Sequence, residues 1–395
     1  MNAALSTERL SDVAELNPRL VESLDNDTLV SFVPMSAVTA ETASTTSGEE
    51  RQYRNVSKGY TPFLNGDVLV AKITPCFENG KIAQARLTHR FGFGSTEFHV
   101  VRPRAEKADG RYLLHFLRQE NIRRAGERRM TGSAGQRRVP EKFLAELEIS
   151  VPTLPEQRRI AEVLDRAEAL RAKRRAALAQ LDTLTQSIFL DLFGDPATNP
   201  KGWPRHTLGE VTDKITDGEH LNPTFSSAGM PMVMAGNVLE DEIDLKNCKV
   251  VESSVGEKFR RKCDPEIGDL LIVSRGATIG RLCAVDTNVR FCLMGSVILA
   301  KPQKDTIDTQ FLTAFLKHPV ARSALYKTSG SSAQQAIYLK DVKNLVCIVP
   351  PISLQHEFAR RIAAVDKLKS AHRASLAKLD ALFASLQHRA FRGEL

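Results

Sequence analysis

The chain has 395 residues, of which 42% are hydrophobic and 26% are charged, with 55 Lys and Arg against 47 Asp and Glu. This length exceeds one typical core, so two or more domains are expected, and the hydrophobic fraction argues against a disordered chain. The net charge of +8 favours a polyanionic partner. The six cysteines form no C-x-x-C pair, and no apolar stretch could span a bilayer. We therefore predict a cytoplasmic protein with reduced thiols, no signal peptide and no membrane partner.

The first 150 residues are predicted to be rich in β-structure. Runs of Val, Ile and Leu between Gly and Pro predict strands at DVLVAKI (67–73) and FHVVRP (98–103). The polar segment 39–60 predicts an exposed loop. FGFGSTEF (91–98) resembles a glycine-rich nucleotide-binding turn, but it lacks the following helix, so a structural turn at a strand edge is favoured. A short helix is predicted at RYLLHFLRQENIRRA (111–125).

Residues 151–195 predict one long helix. Apolar side chains recur there at intervals of three and four, with no internal glycine and no proline past the first turn. The predicted stripe consists of Ile160, Leu164, Ala167, Leu178, Leu181, Ile188 and Leu192, widened by Leu170 and Leu184. Such a helix of about 35–40 residues would be roughly 55 Å long. The turn-forming stretch GDPATNPKGW (194–203) then marks a boundary.

The second half of the chain repeats this order of elements. Strands are predicted at DLLIVS (269–274) and SVILAKP (296–302), and short helices at DTQFLTAFLKHPVARSAL (308–325). A second long helix is predicted over 350–395, with Phe358, Ile362, Val365, Leu376, Leu379, Phe383 and Leu386 on its apolar side.

The two halves are copies of one module. Residues 160–193 match residues 358–391 without a gap, and GSAGQRRV (132–139) overlies GSSAQQAI (330–337). With a small drift, NGDVLVAKITPCFENGKIA (65–83) corresponds to IGDLLIVSRGATIGRLCA (267–284). The repeat unit is far longer than that of a solenoid. We therefore predict globular domains at 1–150 and 196–349, each followed by a long helix, at 151–195 and 350–395.

Helices of this length need a partner along their whole extent. The matched lengths favour an antiparallel intramolecular coiled coil, in which Arg171, Arg174, Lys369 and His372 interrupt the apolar seam and fix its register. Two alternatives remain at this stage. Each helix could pack only on its own domain, or the seam could form a homodimer.

The sequence contains no recognisable catalytic or metal-binding motif. A phosphate-binding loop, the zinc-protease motif and the serine-hydrolase elbow are all missing, and the nine histidines do not cluster with other ligand residues. No motif for holding a flipped target base occurs either. We therefore predict a chain that is not an enzyme and that binds no metal or cofactor of its own.

Basic and amide side chains predict contacts with DNA. Arginines on Gly- and Ser-rich loops suit phosphates and the O6 and N7 atoms of guanine, and glutamine suits adenine. The candidates are Lys72, Thr74, Asn79, Lys81, Arg128, Arg129, Gln136, Arg137 and Arg138 in the first module, and Arg275, Thr278, Arg281, Lys327, Gln334 and Gln335 in the second. The alternative is a solvated charge run, and that is favoured for the cluster around Arg174 on the first long helix.

LPEQRRIAEVLDRAEALRAKRRAALAQLDTLTQSIFLDLFGDP (154–196) resembles the central region of the specificity subunits of type I restriction–modification systems. LGEVTDKITDGEHLNPTF (208–225), GDLLIVSRGATIGR (268–281) and FVPMSAV (32–38) resemble motifs of their target recognition domains. The resemblance covers essentially the whole chain. It departs from the family at ISLQ (352–355), where only Gln355 of LPEQ remains.

The resemblance implies an α+β fold with two target recognition domains separated by two long antiparallel helices. It implies a non-catalytic subunit in which each domain reads one half of a bipartite, asymmetric target in double-stranded DNA, in defence against foreign DNA. The helices would set the spacer and dock two methyltransferase subunits, joined by restriction subunits. S-adenosylmethionine, ATP and magnesium would bind to those partners. Two alternatives are another restriction–methylation assembly and a protein-binding scaffold that does not contact DNA.

Overall fold

The computed structural model describes residues 6–45, 49–133, 135–327 (only the backbone at 327) and 336–395. The chain forms two compact units, Met1–Ala177 with His372–Leu395 (unit 1) and Leu178–Ala371 (unit 2). All six cysteines are free thiols, four of them buried. Among the described helices, none combines the length and the apolar character that crossing a membrane requires.

The described residues of unit 1 form twelve strands and the first helices. The strands are β1 Ser6–Arg9, β2 Ala14–Leu16, β3 Leu29–Val33, β4 Val38–Thr39, β5 Ser44–Thr45, β6 Glu49–Gln52, β7 Thr61–Leu64, β8 Val68–Ala71, β9 Ile82–Gln84, β10 Phe91–Gly94, β11 Phe98–Pro103 and β12 Glu148–Val151. The helices are α1 Leu10–Val13, α2 Gly110–Leu117, α3 Glu120–Arg128, α4 Glu141–Ala145 and the long helix α5 Leu154–Phe193, of which residues 178–193 lie in unit 2.

Unit 2 carries the remaining elements. Its strands are β13 Arg205–Thr207, β14 Thr212–Asp217, β15 Phe225–Ser226, β16 Met230–Val233, β17 Lys249–Val251, β18 Leu270–Val273, β19 Leu282–Ala284, β20 Cys292–Leu293, β21 Val297–Pro302 and β22 Val346–Ile348. Its helices are α6 Ser253–Arg260, α7 Thr309–Lys317, α8 Pro319–Lys327, α9 Leu339–Asn344 and the long helix α10 Ile352–Ala390, whose second half lies in unit 1.

Each unit is built on a main sheet whose central strands are buried on both faces. The order is β2-β11-β8-β9-β5-β4 in unit 1 and β14-β21-β18-β19 in unit 2. In β18, Leu270 and Ile272 face the core beneath helix α7, while Leu271 and Val273 face a second core on the other side. Alternate side chains of a strand point to opposite faces, so a strand covered on both sides must be apolar throughout.

A second four-stranded sheet completes each unit, in the order β6-β3-β10-β7 in unit 1 and β15-β17-β16-β20 in unit 2. Each contains one parallel pair at the corresponding place, β3 with β10 and β16 with β20. The short ladders β1–β12 and β13–β22 also correspond. The two-module α+β architecture predicted from the internal repeat is therefore confirmed.

Two local predictions for the first module are wrong. FGFG at 91–94 is a buried strand rather than a turn, because β10 pairs with both β3 and β7. Its glycines are needed for packing, since a Cβ on Gly92 would lie 2.4 Å from the ring of Phe63. The polar segment 39–60 is not all loop either, because Glu49–Gln52 pairs with β3 along its edge.

Within each unit, the two long helices contact each other. In unit 1, the Arg171 guanidinium donates to Asp380 (2.6 Å) and lies 4.4 Å from the ring centre of Phe383. In unit 2, Lys369 binds Asp182 at 2.8 Å. Arg171 and Lys369 are equivalent in the repeat, as are Asp182 and Asp380, so the same antiparallel pairing occurs in both units. The predicted helix pair with polar residues in its seam is thus present.

The predicted apolar stripe is correct at its ends and wrong at two positions. Ile160, Leu164 and Ala167 are buried, but Leu170 and Leu184 are 51% and 43% exposed. Other residues of α5 make the contacts with α10 instead of these two leucines. Phe189 and Phe193 pack on Phe358, and the Arg171 guanidinium reaches across to α10.

A buried glutamine fixes the start of each long helix to its module. In unit 1, Gln157 donates to the carbonyls of Lys107 (2.8 Å) and Pro152 (2.9 Å) and accepts from the Asp109 N–H (2.9 Å). Asp109 in turn caps helix α2. In unit 2, Gln355 makes the corresponding three bonds and orders Asp308, the cap of helix α7. This geometry explains why glutamine alone is common to LPEQ and ISLQ.

Candidate nucleic-acid interface

Five of the nine predicted residues of the first module lie at one edge of its main sheet. At this edge, here called edge 1, β2 and β8 end and β11 begins. The basic segment 131–139 is attached there by backbone bonds, from the Val139 N–H to the Lys72 carbonyl (2.8 Å) and from the Thr74 N–H to the Arg137 carbonyl (2.9 Å). The sequence separates Lys72 and Thr74 from Gln136, Arg137 and Arg138, and the fold brings them together.

A buried histidine ties edge 1 together. His99 Nε2 lies 2.8 Å from the Val139 carbonyl, and its Nδ1 lies 3.2 Å from the Asn17 side-chain nitrogen. These partners fit a neutral ring that donates from Nε2 and accepts at Nδ1. Burial holds the pKa of His99 below its usual value, although the bond to Val139 opposes the shift. His99 therefore positions the basic segment and the loop after β2 without carrying a charge.

The two neighbouring arginines of the basic segment have different partners. Arg138 forms a two-pronged pair with Glu97, at 2.9 Å from Nε and 2.7 Å from Nη2. That hydrogen bond is the main reason why the pKa of Glu97 is lowered. Arg137 lies 3.8 Å from Glu78, a looser contact, and Gln136 is exposed. Arg137 and Gln136 are thus better placed than Arg138 to contact a ligand.

The other candidates of the first module are more scattered. Lys81 donates to the Met35 carbonyl at 3.0 Å, so its amine serves the turn itself. Asn79 is exposed, as is Arg128, the last residue of helix α3. Arg129 lies over the ring of Phe143 at 5.7 Å. Contacts of these residues with DNA stay predictions.

An open groove of about 350 Å³ lies at edge 1. We call it groove 1. Its polar lining comes from the loop after β2, from the end of β8 and from the start of β7, and consists of Asn17, Arg19, Tyr60, Thr61 and Lys72. Two cations thus face a concave surface whose walls are supplied by Pro18, Leu20, Pro62 and Phe98.

Unit 2 has the same edge with different side chains. Here β14 and β18 end and β21 begins, and the Ile337 N–H binds the Ser274 carbonyl at 2.9 Å, as Val139 binds Lys72 in unit 1. Arg275 is exposed on this edge, and Thr278 bonds the Ala235 carbonyl at 3.2 Å. Arg281 is half-buried at the end of the same turn. Gln334, Gln335 and the side chain of Lys327 lie outside the described residues.

A groove of about 520 Å³ opens at this second edge. We call it groove 2. Its polar side chains are Glu219, His220, Arg275 and Ser296. Of these, only Arg275 is predicted from the sequence. The sequence analysis misses Arg19, Tyr60 and His220. A search of the loops that follow equivalent strands of the repeat could have found such residues.

The described residues hold no group of His, Cys, Asp or Glu that could bind a metal ion. Burial raises the pKa of the Cys263, Cys283 and Cys347 thiols to about 12, which leaves these sulfurs protonated and unreactive at neutral pH. The chemistry that the described residues offer at both edges is donation and acceptance of hydrogen bonds.

Comparison with known proteins identifies the modules. Residues 5–180 and 200–380 each match the type I restriction modification DNA specificity domain. The specificity subunit of the type I restriction enzyme EcoAI of Escherichia coli is 43% identical over 152 residues, which are 38% of this chain and 26% of that protein. The specificity subunit of EcoKI from strain K12 is 26% identical over 339 residues, covering 80% of this chain and 72% of that protein.

The alignment thus spans about a quarter of the length of the EcoAI subunit. For the fold, the type I restriction–modification S subunit of M. genitalium is similar over 99% of this chain and 96% of its own, with a TM-score of 0.58 at 16% identity. Because the family model matches both halves of the chain, the chain belongs to the family of type I restriction modification DNA specificity domains.

Proposed function

We propose that the chain is the non-catalytic DNA specificity subunit of a type I restriction–modification complex, in which each unit reads one half of a split, asymmetric target. The observation that carries this function is the pair of equivalent edges with different linings. Unit 1 presents Arg19, Tyr60 and Lys72 where unit 2 presents His220 and Arg275. Two modules with one frame and different contact residues are suited to reading two different sequences.

The long helices are proposed to set the distance between the half-sites and to dock methyltransferase subunits. Four exposed leucines support the docking. Leu170 and Leu382 are 51% and 50% exposed in unit 1, and Leu368 and Leu184 are 52% and 43% exposed in unit 2. Leu170 is equivalent to Leu368 in the repeat, and Leu184 to Leu382, so each unit carries the same exposed pair. Two such surfaces fit two copies of one partner.

Substitution of these leucines tests the docking. The double change Leu170→Asp and Leu382→Asp should remove one copy of the methyltransferase, because charged side chains are costly in an apolar interface. Co-purification followed by native mass spectrometry would count the copies. Exposed Arg360→Asp, on helix α10 and two turns away from Leu368, serves as the control. An unchanged count in the double variant would contradict the docking surface.

Long-read methylation mapping of the host DNA tests the function itself. We expect adenine methylation at one bipartite asymmetric motif with a fixed spacer, and its loss when the gene for this chain is deleted. S-adenosylmethionine, ATP and magnesium would bind to the partner subunits. If deletion leaves all methylation unchanged, the proposal fails.

A protein-binding scaffold that does not contact DNA is the second candidate, and the net charge of +8 argues against it. Binding of the full chain to duplex DNA should weaken steeply with salt, with a linear log–log dependence, because phosphate contacts release counterions. Another restriction–methylation assembly would give the same slope. A neighbouring gene for a motor subunit would distinguish the type I system from that assembly.

A further inference from the structure

The structure points to a specific pair of base-reading residues in groove 2, an inference that rests on the proposed function. We propose that Arg275 and His220, which line groove 2, determine the second half-site by contacting base edges, and that groove 1 does the same for the first half-site through Arg19 and Lys72. The inference assigns each half of the target to a defined concave surface.

The loop that carries His220 is held in place before any ligand arrives. The Glu219 carboxylate accepts from the backbone N–H groups of His220 (2.8 Å) and Leu221 (3.1 Å). The backbone of Glu219 is in turn bonded to Leu293 (2.8 Å) and Gly295 (2.7 Å). Glu219 is thus a positioning residue, and the loop after β14 has a fixed conformation at the edge of the groove.

The imidazole itself is oriented from two sides. His220 Nε2 lies 2.7 Å from Asp217, whose other oxygen accepts from Lys262 at 3.0 Å. On the opposite side the ring lies against Gly295, where an added Cβ would be 2.5 Å from Nδ1. The His220 side chain is still 49% exposed. A ring that is fixed yet exposed can discriminate among ligands, since little entropy is lost when it binds.

Arg275 supplies the donors that base reading requires. It lies next to Ser274, at the end of the buried strand β18, and its backbone pairs with Ala336. The strand and the backbone bridge fix the position of the Arg275 backbone at groove 2, and the planar fork of a guanidinium matches the O6 and N7 atoms of guanine. Arg275 lies in a groove. A phosphate can be bound equally well by a convex surface, so this location favours contact with a base edge over contact with a phosphate.

Groove 1 occupies the same edge with other chemistry. Lys72 directly follows the equivalent strand, β8, and Arg19 lies in the loop after β2, which is equivalent to the loop that carries His220. A further difference is Tyr60, 37% exposed, whose ring packs edge-on against Phe32. Because the two linings differ in charge, shape and hydrogen-bonding groups, we expect the two grooves to prefer different bases.

A cross-over experiment tests the assignment in the host. Chromosomal variants Arg275→Lys, His220→Ala and Gly295→Ala are compared with Arg19→Ala by methylation mapping, scoring sites with one changed base in either half. We expect the unit 2 variants to lose roughly 10- to 100-fold of the discrimination at the second half-site only. Arg19→Ala should relax the first half-site only. Gly295→Ala removes no polar group but crowds the His220 ring, so its effect would show that the shape of groove 2 around His220 matters.

The control is Arg290→Ala, which removes an arginine that is 63% exposed and pairs with Glu257 outside groove 2. It should leave both half-sites unchanged. A variant that weakens methylation equally at every sequence, or that leaves discrimination intact, would overturn the assignment. If the unaltered chain directs no bipartite methylation, the proposed function fails, and the inference fails with it.

Discussion

At the scale of single residues, edge 1 depends on an uncharged histidine. His99 joins the basic segment and the loop after β2 through its two ring nitrogens. Its pKa is lowered by burial, so the unfolded chain binds a proton more readily than the folded chain. Stability from His99 is therefore complete above about pH 6.5 and is lost as the pH falls below that value.

We predict that acid weakens unit 1 through this residue. Between pH 7 and pH 5.5 the wild-type Tm should fall more steeply than that of His99→Gln, whose amide can donate to Val139 but does not titrate. For the free energy of unfolding, the slopes of the two proteins against pH should differ by at most about 1.4 kcal/mol per pH unit. Thermal unfolding followed by circular dichroism would measure it. Equal slopes for the two proteins would contradict the role given to His99.

The two buried glutamines permit a matched comparison. Gln157→Ala and Gln355→Ala should each reduce the free energy of unfolding by roughly 1–3 kcal/mol, because buried carbonyls and an N–H group lose their partners. Urea unfolding would give the values. Arg166→Ala, which removes a side chain that is 76% exposed on the same helix as Gln157, should change stability by less than about 0.5 kcal/mol.

At the scale of elements, the long helices show that equivalent positions need not contribute equally. Lys369 is 6% exposed, but its partner Asp182 is 64% exposed. Arg171 has one partner that is well covered, because Glu168 is only 15% exposed. Removing a cation lowers the free energy of unfolding strongly when the remaining carboxylate stays buried, and much less when that carboxylate is hydrated.

We therefore predict unequal effects of the same substitution. Arg171→Met should destabilise by roughly 1–3 kcal/mol. Lys369→Met should stay within about 1 kcal/mol of the wild type, since methionine fills the same space. Exposed Lys367→Met is the control for loss of a lysine from that helix. Chemical unfolding would rank them, and a larger loss for Lys369→Met would refute the argument.

The sequence predicts these elements well where one physical signal dominates. The repeat and the 3–4 spacing predict both long helices, because the length and the periodicity of a helix do not depend on how its side chains pack. Leu170 and Leu184 fail because periodicity does not show which side of a wide stripe is covered. FGFG fails because glycines in a strand signal a close approach of Phe63, which only the tertiary structure shows.

The candidate site is less predictable than the fold. Lys72 and Arg275 are found because they follow strands that the sequence makes obvious. Arg19 and His220 are missed because their loops carry no periodicity, and only the strand pairing at the edge places them in the grooves. Arg138 is basic in the sequence but is paired with Glu97, which lies 41 positions away along the chain.

At the scale of the whole molecule, unit 1 is discontinuous and unit 2 is a continuous piece of chain. The end of helix α10 completes unit 1, with Ala390 buried in its core and the ring of Phe391 lying 5.0 Å from that of Tyr112. The Leu395 carbonyl also accepts from Arg159 at 2.9 Å. Unit 1 therefore cannot be complete until residues 372–395 have been synthesised.

Fragments should reproduce this asymmetry. We predict that residues 178–371 unfold cooperatively by themselves, whereas residues 1–177 do so only after a peptide of residues 372–395 is added. Circular dichroism melts with increasing peptide would show the rescue, and a peptide with Phe391→Ala would rescue less, because an aromatic contact is lost. A fragment 1–177 that melts like the intact chain would contradict the interdependence.

The glutamine at the start of each long helix has a consequence for how such proteins can diversify. Gln157 and Gln355 bind backbone groups, two carbonyls and one N–H, and none of these depends on a module's side chains. We therefore expect a module of different sequence to attach to the long helix in the same way, provided that its backbone follows the same path. The hydrogen bonds of this glutamine do not depend on which module is attached. Recombination could therefore exchange the DNA sequence that a module recognises and leave the long helices unchanged.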